Sequence, residues 1–116
     1  MTYRIHYTLQ VKNDLRQALG HIKFSLQNPQ AAQSLLNETK HILAGLSSMP
    51  KRYPLADDPL LAAWGVRFVA VKNHLAFYVV DDEAQTVHVV RFLYGRSDWR
   101  SVLRLGYSLE QRQNPR

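Results

Sequence analysis

Residues 64–99, WGVRFVAVKNHLAFYVVDDEAQTVHVVRFLYGRSDW, decide the fold of this chain. Trp64 to Val71, His74 to Val80 and Thr86 to Tyr94 are rich in β-branched and aromatic residues. Lys72-Asn73 and Asp81 to Gln85 interrupt them as turns, so the stretch predicts a three-stranded antiparallel meander. Arg67, Arg91 and Arg96 lie near its turns and ends. Arginine stays ionised at every relevant pH, so a small sheet carrying these side chains suits an acidic surface or a phosphate backbone.

Upstream, Tyr3, Ile5, Tyr7 and Leu9 alternate with Arg4, His6 and Thr8, a period of two that predicts a strand from Thr2 to Leu9. Val11, Leu15, Ala18, Leu19, Ile22 and Leu26 then recur at helical spacing. Asn28-Pro29 marks a new helix start, because asparagine caps well and proline is favoured at the first helical position. Ala32, Leu35, Leu36, Thr39, Ile42, Leu43 and Leu46 form the stripe of this second helix, giving a helical hairpin. Met49 to Pro59, with its three prolines, is expected to be an irregular surface loop. Asp98 is placed to cap a short helix through Leu105, and residues 108–116 form a polar tail expected to fray.

The expected architecture is therefore one α+β domain over residues 1–116: a small antiparallel sheet built as strand, helical hairpin, three-stranded meander and short C-terminal helix. The hairpin covers one sheet face and the other is expected to stay open. In the first meander strand Val66, Phe68 and Ala70 share one face while Arg67, Val69 and Val71 share the other. A charge avoids a core, so Arg67 is expected on the open face.

Lys and Arg number 15 against 9 Asp and Glu, a formal charge of +6 that favours an anionic partner such as RNA, DNA or an acidic protein. The excess gathers at the C-terminal end. With no cysteine there is neither a disulfide framework nor a thiolate metal site, and a reducing cytoplasm is the simplest setting. No apolar run approaches the roughly 20 residues of a membrane span, and MTYRIHYTLQ lacks the apolar core of a signal peptide. No metal site, cofactor or membrane contact is expected; His6, His21 and His41 are too dispersed in sequence to make a ligand set.

The segments YRIHYT, QNPQAA, LSSMP, GVRFVAVKNHLAFYVVDD and VHVVRFLYGRSDW, in this order over Tyr3 to Leu105, resemble the RelE/ParE superfamily, the toxins of bacterial type II toxin–antitoxin modules. The resemblance implies growth arrest by the free protein and neutralisation by a small acidic antitoxin. It leaves two targets open: DNA gyrase, as for ParE-like inhibitors, or mRNA on the ribosome, as for RelE-like endoribonucleases. A non-toxic binding module with the same fold is a third reading.

If the chain is a nuclease, the resemblance assigns catalysis to Arg67, Tyr94 and Arg96. Arg67 matches a basic position on the first meander strand, Tyr94 falls where some nucleases have histidine or tyrosine, and Arg96 follows the last long strand. Leu75 and Val69 stand where RelE-like enzymes carry further basic residues, whereas RFLYGRSDW is close to the segment that ends a ParE-like sheet. These departures tilt the expectation toward gyrase. RNA cleavage needs a base for the 2′-OH, a donor for the leaving oxygen and positive charge on the phosphate; His74, His88, Tyr94, Asp98, Arg67 and Arg96 include all three kinds of group. Arg91, Arg96, Arg100 and Arg104 are the candidates for meeting the acids of an antitoxin or the target.

Overall fold

Thr8 joins the first two elements of the chain. Its hydroxyl donates to the Val89 carbonyl at 3.0 Å and accepts from the Val11 N–H, so one residue ends strand β1 (Arg4–Tyr7) and caps helix α1 (Leu9–Gly20). The expected strand from Thr2 to Leu9 is shortened by this cap. The computed structural model describes residues 2–113, with side chains for residues 2–106.

After Gly20, a weak helix former, the backbone widens into one π-helical turn, His21–Ser25, where the Leu26 N–H donates to the His21 carbonyl. The first helical stripe is thus broken before it reaches Leu26. Helix α2 (Pro29–Ala44) starts as the sequence predicts, with the Asn28 side chain accepting from the Ala31 N–H at 3.0 Å. A tight turn at Gly45–Ser47 follows, and Ser47 and Tyr3 exchange two hydrogen bonds of 2.9 Å that anchor the start of β1. Asp58 then caps a short helix α3 (Pro59–Ala63), which fills the stretch left unassigned between the expected loop and the first meander strand.

Strands β2 (Arg67–Val71), β3 (His74–Asp81) and β4 (Thr86–Tyr94) form the antiparallel meander. The sheet order is β1-β4-β3-β2, and β1 joins β4 in parallel, so the sheet is mixed. Two helices carry the chain from β1 over the sheet, and it returns through β2 and β3 to lay β4 beside its start. Helix α4 (Trp99–Gln113) outlasts the expected end at Leu105. Leu, Glu, Gln and Arg sustain a helix, and no proline occurs between Trp99 and Pro115. Residues 108–113 of the expected polar tail continue this helix, and residues 114–116 lie outside the described part.

Both faces of the sheet are packed over its centre, while the second face of β1 keeps Arg4 and His6 exposed. Val11, Leu35, Leu43 and Leu46 from the hairpin side pack with Val69, Val71, Ala76, Tyr78, Val87, Val89 and Phe92. Opposite them, Leu61 and Leu103 close over Phe77 and Val66, bordered by Trp64, Leu75, Val79, Leu93 and Trp99. The expectation of an open second face fails because β3 and β4 are apolar on both sides, and α3 and α4 bury that second set. Arg67 accordingly shares the hairpin side with Val69 and Val71 at the rim of the first core.

Between the pairs Phe77–Arg91 and Tyr78–Val89 the register shifts, leaving Val90 as an extra residue on β4. Asp14 of α1 sits against this bulge, 7% exposed. Its carboxylate accepts from Arg91 Nε at 2.7 Å, from Arg91 Nη2 at 3.1 Å and from the Phe92 N–H at 3.0 Å. Thus α1 is fastened to β4 by three hydrogen bonds beyond the end of β1.

Phe77 is fully buried with its ring 5.2 Å from that of Trp99, so it reports the second layer. Phe77→Ala is expected to cost about 3–5 kcal/mol in urea unfolding. A loss below about 1 kcal/mol would mean that α3 and α4 do not cover the sheet.

Candidate functional site

At one end of the sheet the β2–β3 turn, the end of β4, the π turn and the start of α2 enclose a cleft of about 500 Å³. Its walls include Ile22, Leu26 and Leu35 on the helical side and Lys72, His74 and Tyr94 on the sheet side. The chain makes this end from two close approaches. Lys72 takes a φ of 54° to reverse the chain, and the Gly95 N–H donates to the Asn73 carbonyl at 2.8 Å. A side chain at Gly95 would crowd that same carbonyl at 3.2 Å, so glycine fits where β4 ends.

His74 stacks nearly parallel on Phe92, with ring centroids 4.9 Å apart, and meets Tyr94 edge-on at 5.7 Å. Burial pushes the His74 pKa down, because desolvation disfavours the imidazolium. The His74 imidazole and the 47% exposed Tyr94 thus set two groups able to hydrogen-bond a ligand in a largely apolar wall. Among the described residues no carboxylate lines the cleft, and Leu26 on its helical side stands 59% exposed; Phe24, in the same π turn, is 72% exposed.

The residues singled out from the sequence do not all meet here. Tyr94 lines the cleft, and Arg96 is exposed just beyond Gly95 with no hydrogen bond or ion pair among the described residues. Arg67 is elsewhere. It lies four residues from Val71, which pairs with His74, and at about 3.3 Å per residue this places it roughly 13 Å along the sheet from the Tyr94 end. Its guanidinium donates to the Tyr53 carbonyl at 2.7 Å and reaches the Lys51 carbonyl at 3.5 Å. The expectation that Arg67 looks onto an open face is corrected by these contacts: the backbone oxygens of the Lys51–Tyr53 loop satisfy the charge at the core's rim.

Three of the remaining basic residues are held by aspartates. Arg91 is clasped by Asp14, as described above. Arg104 donates to Asp58 at 2.6 Å, and Arg100 stacks 4.3 Å over Trp99 while donating twice to the Asp57 carbonyl. Burial raises the Asp58 pKa, but the Leu61 N–H, Arg104 and the Leu60 N–H outweigh it and hold the carboxyl below the usual carboxylate range. Asp58 therefore ties the cap of α3 to α4. The β2 edge is also occupied: the Ala56 N–H donates to the Val66 carbonyl at 2.8 Å and the Phe68 N–H to the Pro54 carbonyl at 3.2 Å.

The model of the ParE toxin family of type II toxin–antitoxin systems matches residues 5–99, most of the chain and every element from β1 to the start of α4. The chain belongs to the ParE toxin family. Among solved structures, the chromosomal ParDE toxin–antitoxin system of P. aeruginosa is similar with a TM-score of 0.65 at 15% identity, over 80% of this chain and 96% of that one. The RelBE2 toxin–antitoxin complex of Mycobacterium tuberculosis is similar with a TM-score of 0.54 at 22% identity, over 81% and 92%. At these identities the likeness is one of fold. No curated protein sequence is significantly similar. The ParE-family assignment makes the chain the toxin of a type II toxin–antitoxin system. No described helix is long and apolar enough to cross a membrane.

One pairing escapes a sequence-only reading of this ParE-family chain. His6 and His88, 82 residues apart, face each other across β1 and β4 with Nδ1 atoms 2.9 Å apart. Alternation alone puts each histidine on an outward strand position. Only the parallel register joins them.

The burial of His74 sets a pH expectation. Its ring should titrate below the ordinary 6.5 in a proton NMR titration. The unfolded chain then binds more protons than the folded one, so His74's contribution to stability is full above that value and declines as pH falls through it. A midpoint at or above 6.5 would show that the ring is solvated.

Proposed function

We propose that this ParE-family toxin arrests growth by inhibiting DNA gyrase rather than by cutting RNA, and that a small acidic antitoxin holds it inactive. The observation that carries the choice of target is the placement of Arg67. A nuclease of the RelE-like kind needs positive charge on the scissile phosphate beside its proton-transfer groups. Here the guanidinium is spent on loop carbonyls, at the opposite end of β2 from His74 and Tyr94. Leu75 and Val69 add no charge in its place.

The cleft supports the antitoxin part of the proposal. Its apolar wall with the exposed Leu26, its cation Lys72, and Arg96 two residues beyond the lining Tyr94 suit an amphipathic segment carrying acids on one side. Arg100 and Arg104 keep about half of their side chains exposed and can take further carboxylates from such a segment, while Arg91 serves the scaffold. The contiguity of His74, Tyr94 and Lys72 favours the second reading, a ribosome-dependent nuclease.

Brief induction in a bacterial host without antitoxin separates the two. Plasmid DNA should become relaxed or broken while labelled amino-acid uptake initially continues. Immediate loss of uptake with mRNA cut inside coding regions would refute the gyrase reading. With the cognate antitoxin, charge reversal in Arg96→Glu/Arg100→Glu should weaken the complex by about tenfold or more, most strongly at low salt. Unchanged affinity would remove these arginines from the interface.

A further inference from the structure

We propose that His6 and His88 form a two-histidine site for a divalent transition metal of tetragonal preference, Cu²⁺ or Ni²⁺. The site sits on the outer part of the sheet, away from the cleft. His6 is exposed and His88 half-buried, with their rings perpendicular and 5.1 Å apart.

The geometry points to this class of ion. Two imidazole nitrogens bound cis in a square plane at about 2.0 Å from the metal are about 2.8 Å apart, whereas tetrahedral ligation sets them at about 3.3 Å. The observed Nδ1–Nδ1 separation of 2.9 Å is the length of the hydrogen bond that the rings now share, and it is nearer the cis square-planar span than the tetrahedral one. No third His, Cys, Asp or Glu joins the pair among the described residues, so water would complete the plane.

Binding requires a change of tautomer and a turn of each ring. The present contact between two Nδ1 atoms uses one N–H and one lone pair. Moving the donor's proton to its own Nε2 frees the second Nδ1 lone pair, and turning the two rings brings both lone pairs onto one ion. The backbone is already fixed: His6 and His88 are directly paired, Thr8 is bonded to Val89 two residues on, and Tyr3 is bonded to Ser47 three residues before. Arg4 shares the outward set of β1 with His6, so its charge opposes the ion and limits affinity. The ion would cross-link β1, the first strand, to β4, and it would stabilise the folded chain by binding only there.

The test is titration of the full chain with CuCl₂ at neutral pH, read by calorimetry and by electron paramagnetic resonance. One equivalent should bind with an axial signal split by two nitrogens, and the ion should raise the melting temperature. His6→Asn and His88→Asn should each weaken binding about tenfold or more and remove the two-nitrogen splitting, while His41→Asn should not. Melts in chelator establish that each variant is folded. Absence of binding, or equal affinity and an unchanged signal in the His6 and His88 variants, would overturn the proposal.

Discussion

Asp14 is the residue on which the arrangement depends. A buried carboxylate must find enough donors to replace water, and this one finds three: both arms of Arg91 and the Phe92 N–H that β1 is too short to pair. The extra residue Val90 places Arg91 opposite Phe77 while Phe92 returns to the hairpin core. Without Asp14, β4 would carry a bulge, an arginine and an unpaired N–H against α1. With it, the same irregularity becomes the point where helix and sheet are fastened.

The same economy governs the other cations. A chain of net charge +6 could display a continuous basic face, yet Arg67 is absorbed by loop carbonyls, Arg91 by Asp14, Arg100 by Asp57 and Arg104 by Asp58. Each of these contacts ties a different segment to the sheet or to α4. What is left near the cleft is Arg96, Lys72 and an apolar rim, a surface better shaped for a protein segment than for a phosphate held from several sides. Fold and function are linked here by subtraction.

The meander and both helices of the hairpin are legible because their signals are local: alternation over His74 to Val80, a helical stripe over Ala32 to Leu46, and Asn28-Pro29 at a cap. The family, too, is carried by the order of such local segments. The parallel pairing of β1 with β4 is not local, and neither are its products, the His6–His88 contact and the Asp14–Arg91 clasp. The covered second face was partly written in the two-sided apolar character of β3 and β4, since strands buried on both sides lose clean alternation. Arg67 misleads because an arginine at a strand start is compatible with solvent, phosphate or backbone carbonyls, and the loop that supplies those carbonyls has no periodic signal.

The most direct measurement of the central constraint is a double-mutant cycle on Asp14→Ala and Arg91→Ala, followed by urea unfolding. The clasp predicts a coupling of about 2–3 kcal/mol, with the double variant little worse than either single one, because each single change strands its partner. A coupling below about 0.5 kcal/mol, with losses that simply add, would show that Asp14 does not hold β4 through Arg91, and Arg91 would return to the surface as a residue free for other partners.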